Sequence, residues 1–162
     1  MSEIPSSSDG PILAAVDFSE DSRLALIWAA RQAQLEAAPL VILHVVHDPA
    51  ASPGFYHKPD EDWLRPMFDV AEEMMAAFHA KATADHPELS ALAPATIRLV
   101  SGLPAGRTVE VGEELGARLV VIGSRGRTGL QTILLGSVAE RVAQLCGAPV
   151  VIVKATGSEA AR

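Results

Sequence analysis

A single cysteine, Cys146, leaves this chain of 162 residues with no intrachain disulfide and no cysteine cluster for a metal. Aromatic residues make up only 4%, so a core has to be built from Ala, Val, Leu and Ile. Basic charge is also short: 13 Lys and Arg against 20 Asp and Glu give a formal net charge of −7. Non-specific binding to nucleic acid or to an anionic membrane needs a basic face, and this balance argues against both. The sequence has no signal-peptide core and no apolar run long enough to cross a bilayer, so the expectation is a soluble, cytoplasmic protein. Glycine is absent from residues 14–22 (AAVDFSEDS), where a dinucleotide fold would carry GxGxxG after its first strand. A P-loop, with its lysine, is absent as well. These gaps argue against hydride transfer and against P-loop phosphoryl transfer.

What is present is a globular pattern. The hydrophobic fraction is 49%, and the length suits one domain, with a core over about residues 10–154 and tails at 1–9 and 155–162. Short apolar runs at residues 12–16 (ILAAV), 40–46 (LVILHVV), 119–122 (LVVI) and 150–153 (VVIV) read as buried strands, and the alternating TIRLV at 96–100 reads as an edge strand. Between them lie helical patterns. Ser19 is the expected N-cap of a helix starting near Glu20, with Leu24, Ile27, Trp28 and Leu35 on its stripe and the polar Arg31 at the stripe's edge. A second stripe runs through Trp63, Leu64, Met67, Phe68, Ala71, Met74, Met75, Phe78 and Ala82 and stops around Asp85. A third helix begins at Pro104, turns Ala105, Val109 and Leu115 inward and is closed by Gly116 in the left-handed conformation. A fourth, after Gly136 and Ser137, has Val138, Val142, Leu145 and Cys146 as its expected inward face. Strands alternating with helices give an α/β fold: a five-stranded parallel sheet with helices on both faces.

The chemistry concentrates after the fourth strand, in GSRGRTGLQTILLGSV at residues 123–138. Glycines let backbone approach a ligand, and the free N–H groups of a helix start point at it, which suits the phosphates of a nucleotide. With strand order 3-2-1-4-5, strands one and four are neighbours where the order reverses. Asp17, after strand one, then shares a crevice with Gly123, Arg125, Gly126, Arg127, Gly136 and Ser137. Charge supports an anion there despite the acidic whole. Two unit charges about 5 Å apart attract by roughly 3 kcal/mol at an effective dielectric of about 20, before desolvation. Distant surface carboxylates are screened beyond about 8 Å.

GSRGRTGLQTILLGS fits G-x2-G-x9-G-S, and with ILAAVDFSEDS, LHVV and GAPVVIVK it resembles the nucleotide-binding universal stress proteins over roughly residues 10–154. The resemblance implies a Rossmann-like fold of the adenine nucleotide alpha hydrolase kind, usually a homodimer, with ATP bound in some members. By position it implies Asp17 at the ribose, backbone of Val45 at the adenine, Ala15 and Ile122 lining the pocket, and Gly123, Gly126, Gly136, Ser137 and Val138 around the phosphates. Arg125 and Arg127 rest on the electrostatic argument alone, and a proline often found near Ala15 in the family is missing. Mg²⁺ would arrive with the triphosphate. The expected activity is binding with little or no turnover, because the glycine segment holds no carboxylate or histidine to activate water. The alternatives are a slow ATPase, with Asp17 as the nearby carboxylate, and a dimeric interaction module of the same fold that binds no nucleotide. The fifth strand, apolar on both faces and expected at a sheet edge, suggests pairing of two copies along Val150–Val153.

Other residues read more plainly. Asp17 can also brace the first helix, His44 reads as a core histidine, and Cys146 as a packed thiol. His79 and His86 have no partner at metal-ligand spacing, and the 47–59 loop, with His57, carries no assigned role.

Overall fold

The computed structural model describes residues 9–48, 61–125 and 135–155. The elements run β1 (Ile12–Ala15), α1 (Glu20–Glu36), β2 (Leu40–His47), α2 (Glu61–Asp85), β3 (Thr96–Gly102), α3 (Pro104–Glu114), β4 (Leu119–Gly123), α4 (Ser137–Leu145) and β5 (Val150–Val153). All five strands are parallel, in the order β3-β2-β1-β4-β5. The expected order and alternation are therefore the observed ones. Among the described residues no helix is long and apolar enough to cross a membrane.

Side chains of successive strand residues point to opposite faces, which divides the core in two. Ile12, Ala14, Ile42 and Val121 pack with α1 and with Met75 and Ala82 of α2. Leu13, Ala15, Leu43, Val45, Val120 and Ile122 pack with Val111 of α3 and with Ala139 and Val142 of α4. In β5, Val151 and Val153 join the first cluster and Val150 and Ile152 the second, so this edge strand is apolar on both faces.

The local signals act where the sequence puts them. The Ser19 hydroxyl accepts from Ser22 N at 3.2 Å and caps α1, Pro104 opens α3, and Gly116 has φ +57 just past α3. Two helix faces differ from expectation. The buried side of α1 is Ser22, Ala25, Leu26, Ala29, Ala30 and Ala33, with Ile27 beside them, while Leu35 is 81% exposed. Alanines let the helix axis lie close to β1 and β4, and that close approach decides which face turns inward. In α4 the buried residues are Ala139 and Val142, whereas Val138 and Leu145 are exposed. Again a small residue carries the contact. In α2, Ala71, Met75 and Ala82 are buried as expected, but Met67 is exposed. The expectations for the side chains of Trp63 and Leu64, for His57 and residues 49–59, and for most of both tails lie outside the described residues.

Candidate functional site

A cleft of about 460 Å³ opens at the carboxyl ends of β1 and β4, on the α3/α4 side of the sheet. That volume suits a nucleotide-sized molecule. Ala15 is level with Leu43 on one side and with Ile122 on the other, so these three side chains form an apolar floor. Val45 continues the floor past the end of β1, and Pro104 and Thr108 of α3 line the cleft with it. Val16 N donates to Leu43 O at 2.8 Å, so alternate residues of β2 turn their backbone polar groups toward β1. Val45 is the next residue in that series, and β1 has ended beside it.

The far side of the cleft is the start of α4. Leu135, Gly136, Ser137, Val138, Ala139 and Glu140 all line it. Glu140 N makes an early helical bond, to Gly136 O, and no side chain caps Gly136 among the described residues. The amides of Ser137, Val138 and Ala139 precede that bond and have no partner within the helix, so the helix start presents donors and a partial positive charge.

Asp17 lines the cleft from the turn after β1. Its Oδ1 accepts from Ser19 N at 3.0 Å and from the Ser19 hydroxyl. Its Oδ2 has no hydrogen bond among the described residues. The bracing role is thus present on one oxygen while the other is available to the cleft. His44 also borders the cleft, with Nδ1 2.8 Å from Val16 O and its ring 4.4 Å from that of Phe18. It is half-buried rather than a fully enclosed core histidine.

Gly123 and Arg125 both border the cleft, yet each is engaged on its other side by α1. A Cβ on Gly123 would meet Asp21 C and Ser22 N, both at 2.8 Å. The missing side chain makes room for the first turn of α1, whereas the sequence pattern suggests room for a ligand. Asp21 Oδ2 accepts from Ser124 Oγ at 2.9 Å, Arg125 N at 3.1 Å and Arg125 Nε at 3.2 Å. The side chain of Asp21 is only 6% exposed and that of Arg125 25%. Burial pushes the Asp21 carboxyl up, but the hydrogen bonds from Arg125 and Ser124 and the guanidinium charge outweigh it and hold the group below the ordinary carboxylate value. Ser124 is the hub of this arrangement: its N–H donates to Val153 O and its carbonyl accepts from Gly136 N.

The cleft therefore gathers Ala15, Asp17, Val45, Ile122, Gly123, Arg125, Gly136, Ser137 and Val138, nine of the residues singled out in the sequence. Gly126 and Arg127 lie outside the described residues. Sequence reasoning missed Asp21, Ser124 and Thr108. Asp21 was findable: with β4 beside β1, the first turn of α1 has to meet the residues that follow β4.

A sequence model of the Universal stress protein family matches residues 10–154. The chain belongs to the universal stress protein family. A universal stress protein of Mycobacterium tuberculosis is 35% identical over 153 residues, 94% of this chain and 48% of that protein. The chain thus spans about half the length of the mycobacterial relatives it matches. Among solved structures, a universal stress protein of Methanocaldococcus jannaschii superposes with TM-score 0.69 at 25% identity, covering 91% of this chain and 97% of that one. A universal stress protein in complex with cAMP shares the fold, with TM-score 0.61 at 24% identity over 89% of this chain and 95% of the other.

Proposed function

We propose that this universal stress protein binds an adenine nucleotide, ATP, in the cleft and retains it with little or no turnover. The observation that carries the reading is one cavity with two chemically different ends: an apolar floor of Ala15, Leu43, Val45 and Ile122, and the uncapped amides of Ser137, Val138 and Ala139. The base lies on the floor, with its edge toward the backbone of Val45. The free Oδ2 of Asp17 accepts from the ribose hydroxyls. The phosphates meet Gly123, Gly136, Ser137 and Val138. Gly126 and Arg127 belong to this site on the sequence pattern G-x2-G-x9-G-S alone. The complex of a similarly folded universal stress protein with cAMP supports adenine nucleotide as the ligand class.

Mg²⁺ accompanies the triphosphate in this reading. Little or no turnover is part of this reading: residues 123–137 contain no Asp, Glu or His, and Asp17 is assigned to the ribose. That leaves Glu140 as the cleft carboxylate among the described residues, and Glu140→Gln tests for slow hydrolysis. The working form is a cytoplasmic homodimer of a single-domain chain, acting in stress response or signalling. Support for the dimer comes from β5, an edge strand with all four residues only half-buried. Calorimetry with ATP, AMP and cyclic AMP on nucleotide-free protein tests the reading. We expect saturable binding at one site per chain, tightest for ATP. Folded protein that gives no binding heat at millimolar ATP would sink it.

A further inference from the structure

We infer that Asp21 is a positioning residue of the cleft: it fixes the start of the glycine-bearing segment and makes Arg125 a clamp on that segment instead of a phosphate ligand. The inference rests on the nucleotide reading for its function, and on geometry for its structure. Arg125 sits at the anion-binding end, where an unpaired guanidinium would be a natural phosphate contact. Its charge is already taken. The Asp21 carboxylate receives the Arg125 backbone N–H and Nε on one oxygen and Nη2, at 3.5 Å, on the other. The acceptor is buried beneath the cleft, on the first turn of α1, where the helix start further favours a carboxylate.

The same carboxylate receives the Ser124 hydroxyl, and Ser124 in turn holds Val153 of β5 and the amide of Gly136. One buried anion thus connects α1 to both described ends of the segment, at Ser124 and Arg125 and, through Ser124, at Gly136. Gly136 is the residue from which α4 starts and from which its free amides are aimed. Moving Asp21 out of register would tilt those donors. Releasing Arg125 for a phosphate would leave the buried carboxylate without its counter-charge, held only by the Ser124 hydroxyl and the Arg125 backbone N–H, which is costly.

The two roles for Arg125 differ in sign. If Arg125 is a clamp, Asp21→Asn loosens the segment and weakens ATP binding, by about tenfold. Adenosine, which has no phosphate, keeps its affinity. Arg125→Gln has a similar effect, and the double variant is no worse than either single one. If Arg125 is a phosphate ligand, Asp21→Asn removes a negative charge, frees the guanidinium and tightens ATP binding, and the inference is overturned.

Amide hydrogen exchange on ligand-free protein supplies a second readout. In Asp21→Asn we expect the amides of Arg125 and Gly136 to exchange at least about tenfold faster, while those of Val120, Val121 and Ile122 are unchanged. Wild-type rates at Arg125 and Gly136 would overturn the anchoring whatever the nucleotide result. A wild-type protein that binds neither ATP nor adenosine ends the nucleotide reading instead. In that protein, faster exchange in the variant still supports Asp21 as the anchor, and unchanged exchange overturns it.

Discussion

The amide of Gly136 donates to the carbonyl of Ser124, twelve positions earlier in the chain, and so ties the start of α4 to the end of β4. Ser124 is almost fully buried and spends its remaining polar groups on Asp21 and Val153. Replacing Ser124 with Ala leaves the backbone bonds but strips one donor from the buried Asp21 carboxylate. Urea denaturation should show a loss of about 1–2 kcal/mol, together with weaker ATP binding.

Gly123 and Gly106 should respond to alanine in opposite directions. At Gly123 a Cβ meets α1 backbone at 2.8 Å, so the strand or the helix has to shift. The expected cost is about 2–3 kcal/mol. At Gly106, inside α3, a Cβ meets nothing within 4 Å. There alanine should stabilise by about 0.5–1 kcal/mol through helix propensity. Thermal melts of the two single variants check both signs.

Phe18 carries φ +66, a left-handed conformation that costs a side chain roughly 1 kcal/mol. Its ring is held between His44 and Phe78, at 4.4 Å and 5.5 Å between centroids. Both Phe18→Ala and Phe18→Gly lose that packing, but only glycine relieves the backbone. Phe18→Gly should therefore be the more stable of the two by about 1 kcal/mol, reversing the usual order within regular structure.

The Asp21 carboxyl is held below its ordinary value in the folded chain, despite the opposing effect of burial. A depressed carboxylate contributes stability that is fully present above the unfolded value, near about 4, and is lost as pH falls through the folded one. Stability should thus decline on acidification below about pH 5, and Asp21→Asn should flatten that decline. Asp21→Ala, which breaks the pair outright, should cost about 3 kcal/mol at neutral pH, the low end for a buried pair because Arg125 is a quarter exposed. Denaturation across pH separates this group from the exposed Glu20, whose hydrogen bond from Arg23 also lowers its value but is screened by water.

Dimerisation through β5 has a backbone test. Ser124 N donates to Val153 O and Val120 N to Pro149 O, so the odd residues of β5 face β4 and the even ones face the open edge. Ile152→Pro removes an edge donor and spares the ladder to β4. Sedimentation should show a dimer for the wild-type chain and a monomer for the variant.

The Ser19 cap, Pro104 and Gly116 were legible because each signal is local, and the parallel sheet because it follows from alternation; the order 3-2-1-4-5 entered as a premise and is the observed one. The faces of α1 and α4 were legible only in part: Ile27, Trp28, Val142 and Cys146 pack inward as spaced, while Leu35, Val138 and Leu145 do not. Hydrophobic spacing points to Leu35 and Leu145, yet alanines carry the buried contacts, because closeness to the sheet outweighs side-chain size. The cleft was half legible. Asp17, Val45 and the glycines stand out by type and spacing, whereas the Asp21–Arg125 pair joins residues 104 positions apart and needs the fold to be seen. The charge assigned to Arg125 from sequence was real, but its partner is a buried carboxylate.

The most direct test of the nucleotide reading is a titration of ¹⁵N-labelled, nucleotide-free protein with ATP, followed amide by amide. The reading predicts saturable shifts centred on Ser137, Val138 and Ala139 at the phosphate end and on Val45 at the base end. Saturable shifts that leave these four amides unmoved, or no shifts at millimolar ATP, would contradict it.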